Sequence, residues 1–408
     1  MLRCDITIVG AGPAGAAASI IAARAGLRVV LLDRAIFPRD KCCGDGLTTA
    51  ALRRLEALGL DPSTLSSWES VRTAHVHIPD GRHAAFELPN TEGLFAATAR
   101  RVELDAALVD LAREAGADVY AGRGVTGARF APNDRNVDVT LEDGEIVRAE
   151  YVIGADGMWS PLRKVLGASE PGYLGEWHAL RQYFSDVSPA TRDVWIWFER
   201  DVDGYMWSFP LADGRVNTGF GVRRRPGQST GQIKAVWANL LGRPHIAEVL
   251  GPNARPEGPV KTWPIPARIG QAPLVALNGR VLFVGDAARA PDPLTGEGIA
   301  QALETAELAA RTISIWASYG PIAVAAIYRA AIAKRFALDD LASRAFSRVL
   351  GNERGATAWF DLATHNTWSR RQFARWMFED HPRALPLTPW RWRRGLPQQP
   401  GAYRQPVR

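Results

Sequence analysis

Apolar positions fall into two rhythms along this chain. Ile6-Thr7-Ile8-Val9 and Val29-Val30-Leu31-Leu32 are short, almost unbroken apolar runs, the pattern of strands covered on both faces. Between them the Ala-rich run from Ala16 to Ala25 predicts a helix, so the first 33 residues read strand, helix, strand. Thr48 to Leu58 carries Leu52, Leu55 and Leu58 on one face and stops at Gly59. Leu104, Leu108, Leu111 and Ala115 form a second helical stripe, opened by Arg101-Val102-Glu103-Leu104-Asp105 and stopped by Gly116. Short strands follow near 118–130, 136–142 and 145–153, and a later one, Arg280–Val284, precedes a helix from about Gly298. Two inserts, about 71–95 and 171–270, have a different rhythm. There Val194-Trp195-Ile196-Trp197-Phe198 and Val216-Asn217-Thr218-Gly219-Phe220-Gly221-Val222 alternate with period two, which predicts one antiparallel sheet with an aromatic face. Beyond about 320 the pattern turns helical over Ala323–Lys334 and Leu338–Leu350, then Pro- and Arg-rich.

The expected fold class is therefore α/β. Residues 1–70, 96–170 and 271–320 form one discontinuous domain, 71–95 and 171–270 an inserted β-sheet domain, and 321–408 C-terminal helices with a basic tail. The turn after the first strand narrows the chemistry. Gly10-Ala11-Gly12-Pro13-Ala14-Gly15 joins strand to helix in the spacing of a dinucleotide fingerprint. Gly10 makes the tight turn, Gly12 and Ala14 line the approach of a pyrophosphate, and Gly15 lets helix and strand pack closely. The helix N-terminus offers free N–H donors and partial positive charge to the diphosphate. Asp33, with Arg34 beside it, closes the second strand where a carboxylate accepts from a ribose diol. Residues 6–23 carry no charge, but the stretch is short and broken by Gly12-Pro13, so a membrane anchor is not expected.

Composition changes little in this picture. Of 408 residues 47% are apolar and 23% charged, the balance of a soluble globular protein of two ordinary domains. The three cysteines, Cys4, Cys42 and Cys43, cannot build a disulfide framework, which fits a reducing cytoplasm, and no pair has zinc-site spacing, so no metal is expected. The net charge of +6 is concentrated at the end: nine arginines follow His365 against Glu379 and Asp380. With Trp368, Trp376, Trp390 and Trp392 that tail is suited to peripheral contact with anionic lipid headgroups, or to being pinned to the protein by its tryptophans. No recognition motif accompanies the charge, so nucleic acid is not an expected partner.

Two further runs complete a signature. Tyr151-Val152-Ile153-Gly154-Ala155-Asp156-Gly157 and Leu282-Phe283-Val284-Gly285-Asp286-Ala287-Ala288 follow the fingerprint in order. Together the three resemble the FAD signature of flavoproteins of the p-hydroxybenzoate hydroxylase fold, over roughly residues 1–320. The resemblance implies non-covalent FAD, with Asp286 and Gly285 at the ribityl or pyrophosphate region, Arg101 along the flavin, and the Asp156-Gly157 turn on the far side.

Four local runs resemble the geranylgeranyl reductase family within that fold, its menaquinone-reducing branch most of all. They are Phe37-Pro38-Arg39-Asp40-Lys41-Cys42-Cys43-Gly44-Asp45-Gly46-Leu47-Thr48, Gly204-Tyr205-Met206-Trp207-Ser208-Phe209-Pro210-Leu211, the Val216–Val222 run, and Pro293-Leu294-Thr295-Gly296-Glu297-Gly298-Ile299. One departure stands before the matching cysteine, where Cys42 replaces the commoner proline. The resemblance implies saturation of isoprenoid C=C bonds: hydride from reduced flavin to one carbon and a proton to the other. Cys43, between the flavin and a helix start, is a candidate to tune the ring or donate the proton, with Gly44, Asp45 and Gly46 against the cofactor. Tyr205 and Trp207, two residues apart on one strand, are candidates to flank the chain; core packing is the alternative. Gly296, Gly298 and Ile299 open a helix toward the flavin, and Glu297 is read as a helix-start carboxylate.

Only one dinucleotide fingerprint is present, so electrons come from transiently bound NAD(P)H or a separate reductase. A flavin monooxygenase or halogenase acting on an aromatic or polycyclic compound remains open at this point, because the cofactor domain is shared. Against a halogenase, Trp195-Ile196-Trp197 is followed by Phe198-Glu199, not Ile-Pro.

Overall fold

The computed structural model describes residues 1–89, 93–132, 135–225, 227, 230–378, 381–388 and 400–404. Leu2–Val9 is the middle strand of a parallel core, with Val29–Asp33 on one side and Ile146–Gly154 on the other. Asp118–Ala121 extends the first side, Val281–Phe283 the second, and Val275–Ala276 adds an antiparallel edge. The first half of Ile146–Gly154 instead carries the antiparallel strands Val137–Leu141 and Val125–Phe130. Alternation decides the two faces. Ile6, Ile8, Leu31 and Ile153 bury against the helices Pro13–Arg24, Arg101–Glu114 and Ile299–Trp316, while Val9, Val30, Leu32 and Val152 bury against the other face's meander. Both faces are covered, as near-continuous apolar strands require.

The strands of the two inserts make one seven-stranded sheet, in the order 255–265, 177–185, 216–223, 204–210, 194–197, 73–77, 83–87. It is not wholly antiparallel: Val194–Trp197 pairs in parallel with Thr73–His77. Those two strands belong to different inserts, so no hairpin fixes their relative direction. On its outer face Leu180, Trp197, Met206 and Phe220 pack against the helices Thr230–Leu241 and Pro244–Leu250. Its inner face looks toward the carboxyl ends of the parallel strands.

Beyond it, Pro321–Leu350 is one helix of 30 residues where two were expected, followed by Glu353–Thr364 and Thr367–Phe378. Part of the basic tail is pinned to the protein, one of the two fates expected for it. Arg375, Trp376 and Arg383 are buried, and Arg383 Nε donates to Asp292 Oδ2 at 2.9 Å, so these groups are spent inside the protein. A loop carboxylate buried at Asp292 demands such a cation. Trp368 is 63% exposed. Glu379, Asp380, Trp390, Arg391, Trp392, Arg393, Arg394 and Arg408 lie outside the described residues. No helix among the described residues is long and apolar enough to cross a membrane.

Candidate active site

One cavity of about 810 Å³ lies between the parallel core and the inner face of the seven-stranded sheet. Its first wall is the glycine turn. Gly10, Gly12 and Ala14 line it, and Gly12 caps the helix without a side-chain bond, leaving the first N–H groups open. The glycines differ in what they prevent. A Cβ at Gly15 would sit 1.7 Å from the Gly10 carbonyl oxygen, so Gly15 serves packing and does not line the cavity. A Cβ at Gly12 would meet nothing nearer than Arg39 Nη2 at 3.5 Å, so glycine there keeps cavity space free.

Asp33 lines the cavity while its oxygens accept from Ala11 N at 2.7 Å and Ala35 N at 2.8 Å; Arg34 is exposed at the rim. Asp156, pushed up by burial, accepts from Ser160 Oγ at 2.6 Å and Leu162 N at 2.8 Å, and Gly157 beside it takes φ +80°. Gly285, Asp286, Gly296, Gly298 and Ile299 complete this side. Glu297 Oε1 accepts from Ala300 N at 2.8 Å, the bond of a helix-start carboxylate.

Arg101 lines the cavity, clamped by Asp105 at 2.7 and 2.8 Å; Asp105 also takes Arg39 at 2.8 Å. The cysteine loop lies beneath the aromatic sheet. Gly44 and Gly46 line the cavity with Trp207 and Phe209 so near that a Cβ would meet them at 3.3 and 2.9 Å. Cys42 and Cys43 are free thiols. Burial pushes both up, Cys42 to about 11, and the Arg101 charge only partly offsets this at Cys43. The expectation that Cys43 ionises easily is therefore corrected: desolvation outweighs the neighbouring charge, and the thiol stays protonated. Asp45 is also corrected, since it does not line the cavity. Its side chain turns inward, where Oδ2 accepts from Tyr183 Oη and Asn217 Nδ2, both at 2.7 Å, and burial pushes it up to about 6.

Tyr205 and Trp207 project from one face with ring centroids 6.0 Å apart, and Phe209 continues the row at 6.1 Å. Their polar atoms are engaged elsewhere: Tyr205 Oη donates to the Thr295 carbonyl and Trp207 Nε1 to Asn217 Oδ1 at 3.1 Å. What they present to the cavity is aromatic surface. Trp195 and Trp197 face the other way, into the outer core, so the halogenase-like pair is not at this site. The sequence reading missed Asn217, Asp105, the Asp40 carboxylate shared by Arg181 and Lys261, and the C-terminal wall of Leu350, Phe378 and Arg383. Asn217 alone carried a signal, a polar residue at an inward position of an apolar run.

Among the described residues His77, Glu199 and His245 bring ligand atoms within 4.8 Å of one another, away from the cavity. The two imidazoles stack at 4.5 Å and 9°, so their in-plane lone pairs do not converge on one ion.

Several features fit a bulky phosphorylated ligand: open N–H groups, room beside Gly12 and Gly157, and three buried wall atoms without partners, Trp263 Nε1, Thr48 Oγ1 and Arg181 Nε. The cradle and roof together define the nucleotide cavity of a flavin-type oxidoreductase. A family model described as FAD binding domain matches residues 3–316. The chain is 34% identical to a menaquinone reductase of Mycolicibacterium smegmatis over 343 residues, 76% of each protein. It is 28% identical to a digeranylgeranylglycerophospholipid reductase of Methanothrix thermoacetophila, covering 79% of this chain and 81% of that one. A geranylgeranyl bacteriochlorophyll reductase-like protein of Thermoplasma acidophilum shares the fold with TM-score 0.78 at 21% identity, over 95% and 99% of the two chains. The chain belongs to the FAD-binding-domain family of FAD-dependent oxidoreductases, in its geranylgeranyl reductase-like branch.

Proposed function

We propose that this enzyme reduces C=C bonds in the prenyl chain of a membrane lipid, a prenylated quinone first among candidates. The observation that carries this reading is the lining of this cavity. It runs from the glycine cradle past the aromatic row to an apolar arm walled by Ala74, Val194, Ile196, Phe198, Leu350 and Phe378. That is a place for a long hydrocarbon beside a nucleotide. The identity to a menaquinone reductase supports the quinone.

Bound FAD, once reduced, supplies a hydride. Gly10, Gly12, Ala14, Asp33, Arg101, Asp156, Gly157, Gly285, Asp286, Gly296, Gly298 and Ile299, with Arg34 at the rim, would hold it. Tyr205 and Trp207 flank the alkene and stabilise positive charge developing on its carbon through their ring faces. The sheet and the C-terminal wall exclude water. Cys43 holds a proton at Sγ, kept there by burial, and delivers it to the second alkene carbon; solvent reprotonates the thiolate afterwards. Electrons reach the flavin from NAD(P)H or a partner reductase. We infer a cytoplasmic enzyme that meets the membrane peripherally to collect its substrate, with the exposed Trp368 on the side of the C-terminal helices.

Anaerobic incubation of the reduced holoenzyme with a prenyl quinone, followed by mass spectrometry, tests this: each bond reduced adds about 2 Da. An unchanged quinone, together with an oxygenated product formed only in air, would overturn it in favour of oxygen insertion.

A further inference from the structure

Cations on the cavity wall are mostly spent on carboxylates: Arg39 and Arg101 on Asp105, Arg181 and Lys261 on Asp40, Arg383 on Asp292. Lys41 is different. It lines the same cavity, yet makes no ion pair among the described residues. Its Nζ instead rests 3.6 Å from the centroid of the Trp263 ring. The Trp263 indole N–H is buried and has no acceptor. A lysine and an indole donor, side by side and both unmatched, are an incomplete site, because buried donors are normally satisfied.

The surroundings say what completes it. Asp286, on the turn after Val281–Phe283, is the main favourable charge acting on the ammonium; Arg101 opposes it from Arg101–Glu114, and Cys42 and Cys43 adjoin it on its own loop. Desolvation outweighs Asp286 and pushes the amine down to about 8. An anion brought into the cavity would reverse that balance. The anionic ligand the family supplies is FAD, with its diphosphate.

We propose that Lys41 is a cofactor-positioning cation: its ammonium, carried on Trp263, meets an anionic group of FAD on the side facing Asp286, and Trp263 Nε1 donates to the same ligand. The wall formed by the cysteine loop and the sheet thus contributes to nucleotide binding, with a charge that the fingerprint glycines lack. The proposal rests on FAD binding and not on the substrate, so failure to reduce a quinone leaves it standing.

FAD titration of the apoprotein, followed by flavin fluorescence at about pH 7, 8 and 9, tests it in the parent, Lys41→Gln, Lys41→Arg and Trp263→Phe. Once the free amine deprotonates, binding takes up a proton, so the parent Kd is expected to weaken about fivefold between about pH 8 and 9 and about tenfold between about pH 7 and 9. Lys41→Gln is expected to bind roughly 10- to 100-fold more weakly at pH 7, the loss of one charge-assisted contact, with no pH slope. Lys41→Arg keeps tight binding and loses the slope, because guanidinium does not titrate here. Trp263→Phe keeps the ring beneath the ammonium and loses the donor, so its affinity falls while the slope persists. A parent affinity flat across that range, or Lys41→Gln with parental affinity and slope, overturns the proposal. Far-ultraviolet circular dichroism confirms that each variant is folded.

Discussion

Asn217→Ala is expected to make stability fall more steeply with rising pH than in the parent. Asn217 is fully buried and uses its whole amide: Oδ1 accepts from Trp207 Nε1 at 3.1 Å, and Nδ2 donates to the Cys43 carbonyl at 2.8 Å and to Asp45 Oδ2 at 2.7 Å. Alanine orphans the indole and the carbonyl, at about 1–3 kcal/mol each, so a loss of roughly 2–6 kcal/mol is expected at any pH. The third contact depends on charge. Burial raises Asp45 from 3.8 to about 6. Between those values the folded chain keeps a proton that the unfolded chain has released, so stability falls as pH rises through the window. Above it, ionised Asp45 costs about 3 kcal/mol, from roughly two pK units at 1.36 kcal/mol each. Removing Asn217 takes one charge-assisted bond from the ionised form, about 1.5–3 kcal/mol, and pushes the folded pKa up by about one to two units more. The variant therefore keeps losing stability where the parent has levelled off. Urea midpoints of both proteins across about pH 5 to 8 measure this, and the gap is expected to widen by about 2 kcal/mol. A gap that stays constant over that range refutes the coupling of Asn217 to the Asp45 charge.

Gly15→Ala places a methyl 1.7 Å from the Gly10 carbonyl oxygen, backbone that cannot yield as a flexible side chain would, and is expected to abolish retention of FAD on purification, read as loss of flavin absorbance. Alkylation of Cys43 in the apoprotein at about pH 8 is expected to run at least tenfold slower than that of a free thiol, because burial keeps it protonated; a faster rate contradicts the upward shift. Arg383→Met leaves Asp292 buried without its cation, a loss of about 3–5 kcal/mol, and should expose the segment after Phe378 to limited proteolysis. Trp207→Leu is expected to lower turnover of a prenyl quinone at least tenfold, whereas Trp195→Leu, on the outer face, should leave it within about twofold.

The cofactor half of the site was legible because its signals are local. Gly10, Gly12 and Gly15 sit within six residues, and the strand before them and the helix after them are written in the same stretch. What escaped depends on distance in the chain. Asn217 meets Asp45 across 172 residues, and Arg383 meets Asp292 across 91. Composition reported Arg383 only as one of many charges near the terminus and could not show that a buried carboxylate waits for it. The same limit explains the thiol. Sequence placed Cys43 near a helix start, which favours ionisation, but the aromatic sheet that desolvates it comes from residues 204–210, far along the chain.

The parallel register between Val194–Trp197 and Thr73–His77 joins the two inserts into one roof, and no local pattern encodes that pairing. Its consequence is functional. Because the strand 194–197 is pinned on one side by 204–210 and on the other by 73–77, Val194 and Ile196 are fixed as the floor of the apolar arm, while Trp195 and Trp197 are turned outward. A one-residue slip would exchange the two pairs and fill the arm with indoles. The width of the apolar arm, the proposed place of the substrate, is thus set by register, and register is set by a contact between segments more than a hundred residues apart.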